Sequence, residues 1–410
     1  YSLSASGDRI FARLGATSGR GGGTLVAVRN NREVEGKLLW SRQAHEIELP
    51  RRLNEPNRLE ASYEGTPVAD ADRVYIALTE AATETWVYIA CLDAETGRTI
   101  WVRYLGNASS AFDQMRLTSL GTEQGQRLLT LDGQTVYYQT NMGALAALDA
   151  DTGAVRWLAT YPTTEENASA SLHRGLNPAI AHGGLVIVAP DDSAPIFAFD
   201  SASGEVVWKT PPVNEIKHLL GVAQGKLFAT GNHLFSFDVK TGQLTRPAWP
   251  EGGGFESFGR GLLAGDKVYC PTRTEILVFD QATGAQAQEP IPLFQDYFDH
   301  EGGNLAVGDG YLVVAERNRL VVYCQNSRLI ERYQQLIVEQ PDRASNHFQL
   351  ARLAEATGRS DLALESLESA SRLARPSDLV DGQPLASVAQ ARAHNLLMKL
   401  AREDVEKQDF

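Results

Sequence analysis

The sequence predicts a mainly β fold, a β-propeller of seven to eight four-stranded blades followed by a small all-α segment. Three observations predict it. One phrase recurs: Asp149 precedes Gly153 by four positions and Trp157 by eight, and the same spacing returns in Asp93, Gly97, Trp101 and in Asp200, Gly204, Trp208. The glycines at 36, 97, 153, 204, 242 and 284 lie 61, 56, 51, 38 and 42 residues apart, the range of one blade with variable loops. From Ser327 onward, apolar residues recur at helical spacing instead of in strand-like runs.

The phrase has a structural reading in its own chemistry. Asp with Thr or Ser bonds the local backbone in a turn, Gly supplies a positive φ, and Trp restarts the next strand with a large apolar surface. Weaker copies fill the gaps. Asp238, Thr241 and Gly242 are followed by Trp249, three positions late after an insertion that includes Pro247; Gly36 and Trp40 keep the second half, and Asp280, Thr283 and Gly284 the first. Asp149, Asp151 and Gly153 also resemble the start of a calcium loop, but the distal acid is lacking and turn capping accounts for them.

Taken in order, seven first strand pairs centre on Asp8 to Ala12, Asp72 to Ala77, Gln134 to Tyr138, Gly184 to Val188, Gly225 to Ala229, Asp266 to Cys270 and Gly310 to Val314. Runs such as Leu185 to Ala189 and Ile196 to Phe199 are apolar at every position, as in strands buried on both faces. Gly19 to Gly23 in the first unit reads as an inter-strand loop, since no Lys-Ser or Lys-Thr follows to make a phosphate site. The seventh unit offers three strands. Because Tyr1 to Ser6 already read as an inner strand, the chain is expected to be truncated at its N-terminus, with the outer strand of unit seven supplied from upstream.

The domain division expected is 1–325 for the propeller and 326–410 for the helices. Leu329, Ile330, Tyr333, Leu336 and Ile337 mark a first helix that ends at Pro341. Residues 344–374 resemble one tetratricopeptide helix pair, with Gly358 at the turn, and a last helix covers about 384–407. One such pair cannot bury its own apolar face, so it is expected to pack on the propeller or on sequence absent here.

Composition narrows the function. Net charge is −13, of which −11 belongs to residues 1–340, so a nucleic-acid partner is not expected. No apolar run approaches the roughly 18 residues of a membrane helix, and no span is expected. Cys91, Cys270 and Cys324 are scattered singly and read as buried thiols. No His-Glu-x-x-His, nucleophile elbow or Cys-x-x-Cys occurs. What remains is the axial funnel, lined by the starts of the innermost strands: Glu64, His173, Arg174, Lys217, His218, Arg260, His300 and Glu301. Of these, Glu64, Arg174, Arg260, His300 and Glu301 are the candidate ligand-binding residues of the rim, with no catalytic or metal-binding residue assigned.

The form Ala-x-Asp-x-x-x-Gly-x-x-x-Trp, at Ala147 to Trp157 and Ala198 to Trp208, resembles the tryptophan-docking motif of pyrroloquinoline-quinone-type propellers. In the second unit the small residue is read as shifted one place, Cys91 standing before Leu92 and Asp93. The resemblance covers about residues 1–325. It implies that Trp40, Trp101, Trp157, Trp208 and Trp249 dock one blade against the next, and leaves Trp86 as an edge or loop aromatic. The superfamily holds calcium-dependent quinoprotein dehydrogenases and also non-enzymatic members, among them a lipoprotein that helps assemble outer-membrane β-barrel proteins. Its enzymes typically carry an adjacent cysteine pair beside the quinone, which this chain lacks, and no acid-rich cluster matches their calcium ligands. The preferred expectation is therefore a non-enzymatic binding or scaffold module with a protein or peptide partner and no cofactor. The resemblance implies the periplasm or cell envelope. The alternative is a quinone-dependent oxidoreductase holding pyrroloquinoline quinone with calcium, and a third reading is carbohydrate or polyanion binding.

Overall fold

The computed structural model describes residues 2–15, 23–30, 36–50, 61–81, 85–108, 128–163, 174, 177–246, 249, 253–293, 302–308, 310–316 and 319–408. The glycine-rich loop is thus largely outside the described residues. Antiparallel meanders, each pairing its strands in chain order, occupy 2–43, 61–108, 129–160, 180–209, 216–238, 262–292 and 304–324. The chain is a seven-bladed β-propeller with four helices after it. Five blades are four-stranded, and blades five and seven have three strands each among the described residues. By compactness the chain divides into two units, Tyr1–Leu305 and Ala306–Phe410.

In the first unit the recurring turn is built as its residue types require. The Asp side chain accepts the backbone N–H three positions on: Thr96 at 2.8 Å, Thr152 at 2.9 Å, Ser203 at 2.8 Å, Thr241 at 2.9 Å and Thr283 at 2.7 Å. Each Gly then donates its N–H to the Asp carbonyl from φ between 67° and 76°, a conformation that costs other residues about 1–2 kcal/mol. Asp151 accepts a hydrogen bond from Arg73 in the blade before. That carboxylate ties two blades together.

Each Trp lies against the glycine of the following blade. A Cβ on Gly97 would come within 2.6 Å of the Trp40 ring, one on Gly153 within 2.6 Å of Trp101, and one on Gly204 within 2.7 Å of Trp157; Gly242 meets Trp208 in the same way. Only glycine allows that approach. The indole N–H then donates to a carbonyl in the same turn: Trp40 to Ala94 at 3.0 Å, Trp101 to Ala150 at 3.1 Å, Trp157 to Ser201 at 2.9 Å and Trp208 to Val239 at 3.0 Å. Trp40, Trp157 and Trp208 are buried, whereas Trp101 stays partly exposed.

The cross-strand partners of the four Trp residues are Ala27, Cys91, Ala147 and Ala198, each followed at once by a register shift. A small side chain there leaves room for the ring, and the bulge twists the outer strand. Cys91 therefore holds the same position as Ala147 and Ala198. The phrase is not shifted in blade two, and cysteine simply replaces alanine.

Trp249 packs between blades five and six as expected, but it does not take the Trp position of the recurring phrase. Gly284 is met by the guanidinium of Arg246, which stands four residues after Gly242 where the other phrases have Trp, and Arg246 Nη2 donates to the Ala282 carbonyl at 2.7 Å. A planar guanidinium thus takes over both parts of the indole's role, stacking and donation. Trp249 exchanges two backbone hydrogen bonds with Leu234 and packs against the cluster that holds Phe228 of blade five with Val268 and Phe279 of blade six. In place of a fourth strand, blade five has isolated bridges at Leu244 and Trp249. Trp86 lies within the strand Thr85–Asp93, 5.1 Å from the ring of Tyr104 between centroids.

Burial on both faces is met. Val74 to Leu78, Val87 to Leu92 and Ile196 to Phe199 are buried without a break. Cys91 and Cys270 are buried, and their thiols are pushed up by desolvation, Cys91 to about 12. Cys324 is only partly buried.

In the second unit, helices α1 (Asn326–Glu339), α2 (Ala344–Ala356), α3 (Ser360–Leu373) and α4 (Leu385–Gln408) follow the last sheet. Gly358, at φ 70°, turns the chain between α2 and α3. Phe348 and Ala351 of α2 pack with Leu367 and Ala370 of α3, and Leu385 and Ala389 of α4 join the same cluster. The fourth helix thus covers part of the apolar face of the pair.

Candidate functional site

In a meander blade the start of the first strand, the turn between strands two and three and the link from the preceding blade share one end. The residues expected at this rim fall into different environments. His173, His300 and Glu301 lie outside the described residues.

Glu64 sits on the first strand of blade two, Ala61–Ala69, just before a register irregularity containing Gly65 at φ 66° and Pro67. Its carboxylate accepts the Thr79 hydroxyl at 3.3 Å. Arg13 of blade one is 3% exposed and donates to the Tyr63 carbonyl at 3.1 Å. Burial lowers the Arg13 pKa and the charge of Glu64 opposes that fall. Glu64 is thus a counter-charge at the seam between blades one and two.

Arg174 has no exposed surface. Its Nε donates to the Ile216 carbonyl at 2.8 Å, Nη1 to Ser193 at 3.1 Å and Ala194 at 2.8 Å, and Nη2 to Val213. Its backbone N–H donates to Asp191 Oδ1 at 2.9 Å. Desolvation brings the guanidinium down to about 10, with the Asp191 charge opposing, so it stays protonated at neutral pH. The side chain bolts blade four to the link and first strand of blade five.

That first strand, Ile216–Ala223, is broken in register between Ile216 and His218 and again between Leu219 and Gly221. Asn177 repairs the first break: its Nδ2 donates to the Lys217 carbonyl at 2.8 Å and the Arg174 carbonyl at 3.0 Å, while its Oδ1 accepts Leu219 N–H at 2.8 Å. Bulges re-aim side chains. Here they accompany Lys217 and His218, whose charge environment includes Arg260 at the start of blade six. Burial pushes the His218 imidazole down to about 4, and the charges of Arg260 and then Lys217 add to the effect. His218 Nδ1 is buried with no hydrogen-bond partner. Desolvation also lowers the Arg260 pKa. The Arg260 backbone is held by the Asn304 side chain at 2.8 Å and by Leu305 N–H at 2.8 Å, and its guanidinium makes no hydrogen bond among the described residues. Lys217 Nζ is 3.8 Å from the exposed carboxylate of Glu256.

A histidine held neutral in the fold and free to protonate in the unfolded chain makes stability depend on pH. The contribution is complete above the ordinary value of 6.5 and is lost as pH falls toward about 4. Urea midpoints should therefore fall between about pH 7 and about pH 5, by about 1.4 kcal/mol per pH step below the unfolded value, and His218→Gln should flatten that slope.

Residues 4–175 and 165–297 match the family described as outer membrane protein assembly factor BamB. The chain belongs to this family. Among solved structures it is similar to BamB from Moraxella catarrhalis, at 16% identity and TM-score 0.50 over 79% of this chain and 84% of that one. It is also similar to a europium-containing methanol dehydrogenase, at 13% identity and TM-score 0.47 over 76% and 72%, respectively. A quinohemoprotein alcohol dehydrogenase from Comamonas testosteroni matches at 15% identity and TM-score 0.48, over 75% of this chain and 61% of that one. At such identities these likenesses bear on fold alone. No curated protein sequence matches the chain.

The described residues do not fit a calcium-held quinone. Calcium takes roughly 6–8 oxygen ligands, and no group of three or more His, Cys, Asp or Glu converges among the described residues. The buried acids are also dispersed and engaged. Glu80 accepts the Tyr88 hydroxyl at 3.4 Å, Asp191 accepts Arg174 N–H, and Asp192 accepts Gly143 N–H at 2.7 Å and the Tyr161 hydroxyl at 3.0 Å. Of the sequence-predicted set, Lys217 and His218 are neighbours in the bulged first strand of blade five, Arg260 precedes the first strand of blade six that packs beside it, and Arg174 donates to the Ile216 carbonyl of the same bulged strand. Asn177 was not foreseen, and nothing in its sequence neighbourhood distinguishes it from an ordinary loop asparagine before proline.

Proposed function

We propose that this chain is a non-enzymatic scaffold at the cell envelope, a propeller that binds a protein or peptide partner. The observation that carries the proposal is the family match across residues 4–297, to a family described by its role in outer-membrane protein assembly. The chemistry of the rim supports it. Among the described residues the ionisable groups there tie blades together or gather as cations, and no base, nucleophile and electrophile stand in register for a reaction. Among the described residues no helix is long and apolar enough to cross a membrane.

Reversible cross-linking of envelope fractions, followed by isolation of the chain, tests the proposal. A stoichiometric complex with an envelope protein, reassembled from the two purified components, is expected. Recovery of the chain free of protein partners, or failure of the purified pair to reassemble, contradicts it. Carbohydrate or polyanion binding has no specific observation in its favour.

A further inference from the structure

We propose that Lys217, His218 and Arg260 form a carboxylate-binding subsite that receives a Glu or Asp side chain of the partner. The inference rests on the scaffold reading and gives that partner a chemistry.

The argument starts from what these groups lack. A buried polar atom without a hydrogen bond is costly, and a cation with no counter-charge favours an incoming anion. Several polar groups nearby are satisfied: Arg174 reaches four carbonyls, Asn177 makes three hydrogen bonds, and Asp192 is held from two sides. His218 Nδ1 is buried without a hydrogen bond, as are Thr230 Oγ1 and His233 Nδ1 in the same blade, and the half-buried Arg260 guanidinium makes no hydrogen bond among the described residues. His218 is on the first strand of blade five, and Arg260 lies two residues before Leu262–Ala264, the first strand of blade six, which packs beside it. Lys217 stands next to His218 in the bulge, and Glu256, its acidic neighbour among the described residues, is largely exposed at 3.8 Å.

A carboxylate placed here would accept two parallel hydrogen bonds from the Arg260 fork, and charge from Lys217 would reinforce them. It would also stabilise the imidazolium of His218 and give its Nδ1–H an acceptor. The ligand must be an anion, because all three groups become donors with no acceptor among them. A peptide carboxylate, rather than a free inorganic anion, follows from the scaffold reading. It also explains how a chain of net charge −13 can offer a local basic spot to an acidic segment.

The test uses the whole chain and capped hexaglutamate as the probe. Binding is followed by calorimetry and by the NMR signals of the His218 ring, with inorganic phosphate in a parallel titration. Saturable binding that shifts the His218 signals is expected, with phosphate at least about tenfold weaker, and Arg260→Gln and Lys217→Gln should each weaken hexaglutamate at least about tenfold. Arg260→Lys, which keeps the charge but loses the fork, should fall between Arg260→Gln and the parent. Should Arg260→Gln fail to fold, Lys217→Gln at a half-exposed position decides the matter. Absence of saturable binding, an unmoved His218 signal, equal affinity in Lys217→Gln, or phosphate as tight as hexaglutamate each overturns the subsite. The envelope complex is measured separately, so loss of the subsite alone leaves the scaffold proposal standing.

Discussion

Trp157→Ala should lower the unfolding free energy by about 3–5 kcal/mol, the range for a truncated, buried large aromatic. The ring is 8% exposed, lies against Gly204 of the next blade too closely for any other residue there, and donates its N–H to Ser201. Truncation removes the apolar contact and leaves that carbonyl without its donor, while the stiff turn around Gly204 cannot collapse into the gap. Trp157→Phe should recover part of the loss, since it restores a ring without the hydrogen bond. Denaturant midpoints measure both variants. A loss under about 1 kcal/mol for the alanine variant would remove the basis for treating the Trp–Gly pair as the joint between blades.

Arg174→Met should cost a comparable amount, about 3–5 kcal/mol, as expected when one side of a buried, hydrogen-bonded charge network is deleted. The methionine fills much of the volume, so the loss reports the guanidinium's four hydrogen bonds more than a cavity, although the Ala194 and Val213 carbonyls keep the backbone N–H groups of Val213 and Ile216. Arg260→Met is the contrasting case. Its guanidinium makes no hydrogen bond among the described residues, so replacing it should cost less than about 1 kcal/mol or even stabilise the fold. Equal losses in the two variants would refute the division between a structural arginine and a ligand-binding one.

These two arginines show where sequence reading stops. Both precede an inner strand, both sit near histidine in space or sequence, and both read as funnel cations. What separates them is whether four carbonyls from residues 19 to 42 positions away surround the fork, and no local pattern encodes that. Glu64 was hidden for the same reason, since its interaction with Arg13 depends on how blade one meets blade two. The blades themselves were legible because Asp, Gly and Trp each have a local reason to be where they are. At Trp249 residue type marks an aromatic that does pack between blades, but spacing marks the residue that meets the next glycine, and Arg246 holds that distance from Gly242. The cover of the helix pair by Leu385 and Ala389 was likewise out of reach, because a helical pattern shows an apolar face without showing what it meets.

The central claim is that this propeller binds through its rim and performs no quinone chemistry. Titration of the purified chain with pyrroloquinoline quinone and calcium, read by quinone absorbance and by reduction of a coupled dye with alcohols and sugars, tests that claim most directly. The account predicts an absorbance spectrum unchanged by the protein and no dye reduction above background. Stoichiometric quinone uptake that requires calcium, accompanied by turnover, would contradict it.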